Sequence, residues 1–171
     1  MTSPSSAPTQ GATASVLTLS ADETRDFAAA LAAVAEPGDR LALVGPLGAG
    51  KTQFAKGFAV GVGVAEVVNS PSFTLMAEYA GRLPLFHQDL YRLTGAEEAM
   101  AGGMVDERQL DGVTLSEWAE RLPAEMDPAR VTIAFDVLSD DQRRITVTPS
   151  TSDQTRYTDA AAAWAKAQQR G

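Results

Sequence analysis

No cysteine occurs in the 171 residues, which excludes disulfides and thiolate metal centres. Lysine is almost as scarce, at Lys51, Lys56 and Lys166 only, and the formal net charge is −8. Such a surface repels nucleic acid, so a function that involves RNA would need another chain to touch it. No apolar run approaches the ~20 residues of a transmembrane helix. No basic residue precedes Arg25, so neither a signal peptide nor a membrane segment is expected. With the missing cysteines this fits a cytoplasmic protein. An apolar fraction of 44% and a charged fraction of 21% describe a globular chain, and the length suits one domain.

The most informative stretch is Gly45, Pro46, Leu47, Gly48, Ala49, Gly50, Lys51 and Thr52, which fits the phosphate-loop pattern G-x-x-x-x-G-K-[ST]. Its glycines permit positive φ and let backbone N–H groups curl inward as an anion nest. Lys51 supplies a point charge to the β- and γ-phosphates, and Thr52 a hydroxyl to bound Mg²⁺. An apolar run at 41–44 precedes the loop and reads as a buried strand. Gln53 opens the helical segment that follows, in which Phe54 and Phe58 share a face. Strand, loop and helix in that order make this a nucleotide phosphate site, with the helix N-terminus directed at the anion.

Around it, residues 1 to about 15 are rich in Ser, Thr, Pro and Ala and read as a disordered tail. A short strand at 16–19 leads to a helix opened by a Ser20/Glu23 capping box, with Phe27, Leu31 and Val34 on its apolar face. Residues 37–39, Pro-Gly-Asp, end it. Apolar runs at 73–79 and 83–90 flank a Gly-containing turn and predict a hairpin. Helical segments are expected at 96–100 and 105–109, and a strand at 113–118 with one helical turn after it. A last hairpin joins 130–137 to 143–148, and a polar link at 150–154 leads to a C-terminal helix. Tyr157, Ala161, Trp164 and Gln168 share one face of that helix, which predicts that Trp164 packs on the sheet. The expected fold is α/β, a P-loop NTPase-like three-layer arrangement with a mixed parallel and antiparallel central sheet. Residues 16–149 are expected to form the P-loop domain, and 150–171 a linker and helix packed on it.

Hydrolysis needs a second Mg²⁺ contact and a group to orient water. Asp89 and Glu117, each ending a strand, fit these needs, and the pattern alone does not divide the roles between them. His87 shares a strand face with Asp89; it reads at least as well as a hydrogen-bonded core histidine as a catalytic one and is not counted among the catalytic residues.

The segments Gly-Pro-Leu-Gly-Ala-Gly-Lys-Thr, Asn-Ser-Pro-Ser-Phe-Thr-Leu, His-Gln-Asp-Leu-Tyr-Arg-Leu and Ser-Glu-Trp occur in this order. In spacing and content they resemble the TsaE (YjeE) family, small bacterial P-loop ATPases of the threonylcarbamoyladenosine tRNA-modification pathway. The resemblance spans about residues 16–148. It implies that the loop from Gly45 to Gln53 binds ATP with Trp118 beside the pocket, and that Thr52 and Asp89 hold Mg²⁺. It makes Lys51 and Glu117 the residues of catalysis. Glu117 would either orient water or act through the groups around Mg²⁺. Residues 70–74 match a switch-like segment near the nucleotide. Pro46, Ser72 and Gln88 depart from the family pattern; Pro46 removes a charge and one N–H. The resemblance further implies TsaD and TsaB as partners, with ATP hydrolysis resetting their complex and tRNA contacted only through it. A small-molecule kinase and a non-catalytic nucleotide-sensing module are the rival readings. The lack of an NKxD-type guanine-reading motif favours ATP.

Overall fold

The computed structural model describes residues 13–71 and 76–169. Most of the expected tail therefore lies outside the described residues, as do Ser72, Phe73 and Thr74 of the switch-like segment. A seven-stranded mixed sheet runs in the order β1-β7-β6-β2-β5-β4-β3. Its strands are β1 (Ala14–Thr18), β2 (Arg40–Val44), β3 (Met76–Tyr79), β4 (Leu85–Asp89), β5 (Val113–Glu117), β6 (Val131–Val137) and β7 (Arg143–Thr148). Strands β4, β5, β2 and β6 are mutually parallel, and hairpins β6/β7 and β3/β4 extend the sheet on either side. β1 then adds antiparallel to β7 with Ala14 opposite Val147. The chain thus enters the sheet inside the segment expected to be tail, because the outer edge of β7 offers two further residues of ladder.

Helices α1 (Ala21–Ala32), α2 (Lys51–Gly61) and α4 (Thr155–Gln168) lie on one face. Ser20 caps α1 by accepting from the Glu23 N–H at 3.1 Å. The Glu23 carboxylate in turn accepts from the Leu19 N–H, one residue earlier than in a regular capping box. Phe54 and Phe58 of α2 are completely buried. The Phe54 ring meets Phe27 of α1 at 6.2 Å and Phe135 of β6 at 5.7 Å, both edge-on. Burying one such ring contributes roughly 1.5–3 kcal/mol, which ties the helix after the phosphate loop to two other elements. At Gly57 a Cβ would overlap the Arg25 backbone, so only glycine allows α1 and α2 to pack this closely.

The opposite layer holds α3 (Ala96–Ala101) and short 3₁₀ turns, Glu107–Asp111 among them, rather than long helices. Its small apolar cluster includes Leu90, Leu93 and Met104. The turn expected at 105–109 begins later because Asp106 caps it, accepting from the Arg108 N–H at 2.9 Å. None of the described helices is long and apolar enough to cross a membrane.

In α4, Tyr157, Ala161 and Trp164 are buried while Gln168 is exposed. Trp164 packs against α1, where its ring lies 5.1 Å from Phe27 and its Nε1–H donates to Asp26 at 2.8 Å, within the same buried cluster as the sheet residues Val16 and Val147. Nearer the start of α4, Asp39 accepts from the Tyr157 hydroxyl at 2.5 Å and from Arg156. Burial and the neighbouring Asp39 raise the Tyr157 hydroxyl above its ordinary pKa of 10.0. Below pH 10 both states hold this proton. Above it the unfolded chain ionises first, so folded stability falls by about 1.4 kcal/mol per pH unit from this group. Urea unfolding on either side of pH 10 should show that one-proton slope in the wild type and not in Tyr157→Phe.

Candidate functional site: a phosphate-loop cleft

The loop after β2 turns back at Gly48 and Gly50, whose φ angles of 77° and 104° favour glycine. Gly50 caps α2 without a side chain, and no acid lies in the first turn. The leading N–H groups are thus left for an anion or water. Cβ atoms at Gly48 and Gly50 would meet nothing within 4 Å, so here the glycines serve the backbone path, not a tight contact. Residues from Leu47 to Gln53 line a cavity of about 380 Å³, with Ser70, Asp89, Glu117 and Trp118 on its other walls. Gly45 and Pro46 lie behind it and offer their carbonyls to the Lys51 ammonium, the latter at 3.3 Å. The Lys51 Nζ also sits 3.5 Å from the centre of the Trp118 ring. Burial pushes the Lys51 pKa down, while the charges of Glu120, Glu117 and Asp89 hold it up.

The acids arrive from two parallel strands. Asp89 pairs in register with Glu117, and His87 with Leu115. With side chains alternating along a strand, His87, Asp89 and Glu117 all face the α2 side. The Thr52 hydroxyl donates to Glu117 Oε1 at 3.0 Å, and His87 Nε2 lies 2.6 Å from Glu117 Oε2. Asp89 accepts from the Ser70 hydroxyl at 2.8 Å and from the Tyr91 N–H at 3.0 Å. Among the described residues no cluster of three or more His, Asp or Glu forms a metal cage. Mg²⁺ does not need one, because it takes one or two carboxylates together with phosphate and water. A threonine hydroxyl and an oriented aspartate beside an open helix N-terminus fit that ion.

Trp118 adopts a left-handed backbone conformation, φ 57°, the one non-glycine residue at positive φ among the described residues. That conformation is costly and recurs at binding sites. It turns the chain sharply after Glu117 and brings the indole over Lys51. Tyr91 packs on the indole at 4.9 Å, and the Arg121 guanidinium lies over the Tyr91 ring at 5.2 Å. Neither contact is readable from spacing. Nor is Arg143 on β7, whose guanidinium donates to the carbonyls of Ala49 at 3.0 Å and Gly48 at 3.1 Å. It holds the loop from outside the motif, and only the placement of β6 and β7 beside β2 reveals it. Gln53 is steadied by Arg25. Gln88, an atypical residue, points to the other face, where it bonds Met104 and Ser116 and leaves the cleft untouched.

Residues 18–145 match the family described as "Threonylcarbamoyl adenosine biosynthesis protein TsaE". The Bacillus subtilis (strain 168) "tRNA threonylcarbamoyladenosine biosynthesis protein TsaE" is 44% identical over 132 residues, covering 77% of this chain and 82% of the relative. The protein of the same description from Treponema pallidum (strain Nichols) is 42% identical over 128 residues, covering 75% and 95%. The crystal structure of Bacillus subtilis YdiB matches with a TM-score of 0.69 at 37% identity, covering 92% of this chain and 97% of that one. Matched along three-quarters of its length in sequence and nearly all of it in fold, this chain belongs to the TsaE family of threonylcarbamoyl adenosine biosynthesis proteins.

Proposed function

We propose that this chain binds and hydrolyses ATP, and that its ATPase acts on a complex of TsaD and TsaB to support threonylcarbamoyl transfer to adenosine in ANN-decoding tRNAs. The observation that carries the reading is the convergence of Lys51, Thr52, Asp89 and Glu117 on one cleft at a helix N-terminus. The loop N–H groups and Lys51 hold the phosphates. Thr52 and Asp89 would hold Mg²⁺, which supplies charge neutralisation at the phosphate oxygens. Ser70 and the Tyr91 N–H keep the Asp89 carboxylate oriented. Glu117 has two uses open to it: steering the attacking water, or fixing the Thr52 hydroxyl. Its bond to Thr52 favours the second, since a hydroxyl that donates to Glu117 keeps its lone pairs for a cation.

A small-molecule kinase would need basic side chains free to close over phosphates. Arg143 instead grips the loop carbonyls, and Arg130 bonds the Ala119 carbonyl. The acidic surface suits a subunit that leaves tRNA contact to its partners. Phosphate release from Mg·ATP, measured with and without purified TsaD and TsaB, tests the reading. The expected result is slow turnover alone and clear stimulation by the pair. A fast isolated enzyme indifferent to both proteins would remove the partner-gated ATPase, and phosphate transfer to a metabolite would restore the kinase.

A further inference from the structure

His87 is the only histidine of the chain, and its ring is completely buried on β4. Its Nε2 lies 2.6 Å from Glu117 Oε2, and with a carboxylate as partner Nε2 is the donor. Nδ1 is buried and finds no hydrogen-bond partner among the described residues. A histidine kept only to fill the core would have both nitrogens satisfied, or would give way to a leucine with no polar atom to bury. The imidazole is therefore held through one bond, and that bond ends on the acid beside the phosphate loop.

Glu117 is itself almost completely buried. Oε1 takes the Thr52 hydroxyl, at 3.0 Å, and Oε2 takes His87. The last torsion of a glutamate is broad and roughly two-fold, so one donor leaves the carboxylate plane free to swing. Two donors, one to each oxygen, fix it. We propose that His87 is a positioning residue that locks the plane of the Glu117 carboxylate against the Thr52 hydroxyl for nucleotide hydrolysis. The inference rests on the hydrolysis reading above. It holds whether Glu117 steers water or fixes Thr52, since either use needs the carboxylate in one orientation.

Two measurements test it. In the ligand-free full-length protein the single histidine makes its ring ¹H–¹⁵N correlations unambiguous. The Nε2 signal should move in Glu117→Gln far more than Nδ1, and ring signals indifferent to that substitution would overturn the coupling. The second measurement is turnover with TsaD and TsaB beside Mg·ATP binding read from Trp118 fluorescence. His87→Leu should lower kcat on the order of 10- to 100-fold, the effect of a misplaced reacting group, with the Mg·ATP dissociation constant unchanged if Glu117 steers water and raised if it fixes Thr52. His87→Gln, whose amide nitrogen reaches where Nε2 was, should restore most of the turnover. His87→Asn, with its amide nearer the Nδ1 position, should not. That contrast remains available if the leucine variant does not fold.

Wild-type kcat in the leucine variant would overturn the proposal. So would a glutamine variant that melts with the wild type yet is as slow as asparagine. A wild-type protein that releases no phosphate under these conditions would instead sink the hydrolysis reading, and this inference with it.

Discussion

Lys51→Ala is expected to bind Mg·ATP roughly 10- to 100-fold more weakly than the wild type. A hydrogen bond to a charged group is worth about 1.5–3 kcal/mol, and every 1.4 kcal/mol is tenfold in affinity. The ammonium is gathered between the Gly45 and Pro46 carbonyls and the Trp118 ring. Little side-chain ordering remains to oppose binding. Removing Lys51 also leaves those carbonyls with one donor fewer, so the ligand-free melting temperature must be measured beside the affinity. Stabilisation by saturating nucleotide separates the two effects, because it depends on ligand concentration relative to the dissociation constant. An alanine variant that binds as tightly as the wild type would take the phosphates out of this cleft.

Glu117→Gln is expected to keep ATP binding at saturating Mg²⁺ and, at ordinary Mg²⁺, to lose turnover by about 10²–10⁴-fold, the range for a positioned acid–base group. Glutamine preserves the size of the side chain and can still accept from Thr52, so the buried contacts survive better than in alanine. An alanine would strand the His87 ring with neither nitrogen paired. The Mg²⁺ dependence of the residual rate divides the two uses of Glu117. If the carboxylate acts by fixing the Thr52 hydroxyl, excess Mg²⁺ recovers much of the loss. If it steers water, saturating metal recovers nothing. Wild-type turnover in the glutamine variant would leave a nucleotide-sensing module in place of an ATPase.

The strand, glycine turn and helix at 40–61 were legible in the sequence because everything that makes them is local. The apolar run, the glycine spacing and the Phe54/Phe58 face follow one another between residues 41 and 58, and each is set by preferences that act over a few residues. The hairpins at 76–89 and 131–148 were legible for the same reason, since a turn and two alternating runs specify an antiparallel pair. The roles of Asp89 and Glu117 were not divided by pattern. Their separation in the chain says nothing about which strands are neighbours, and only the parallel register of β4 on β5 sets them side by side. His87 was ambiguous between core and site. It proves to be both buried and bonded to the site, which no local signal can express.

Two other expectations needed the assembled molecule. Helical periodicity picked out Trp164 as an inward residue, but not that its neighbour is Phe27 of α1. The strand before α1 begins at Ala14 because β7, from the far end of the chain, supplies the edge it pairs with. Sequence alone therefore determined the groups available to this protein: a glycine-rich loop at a helix N-terminus, one lysine, one hydroxyl and two strand-end acids. Tertiary structure decided which of these touch. Contacts between Thr52 and Glu117, His87 and Glu117, and Arg143 and the loop join positions 65, 30 and 94 or 95 residues apart. Such contacts arise from strand order and register, which the cooperative burial of the whole sheet selects and no short segment encodes.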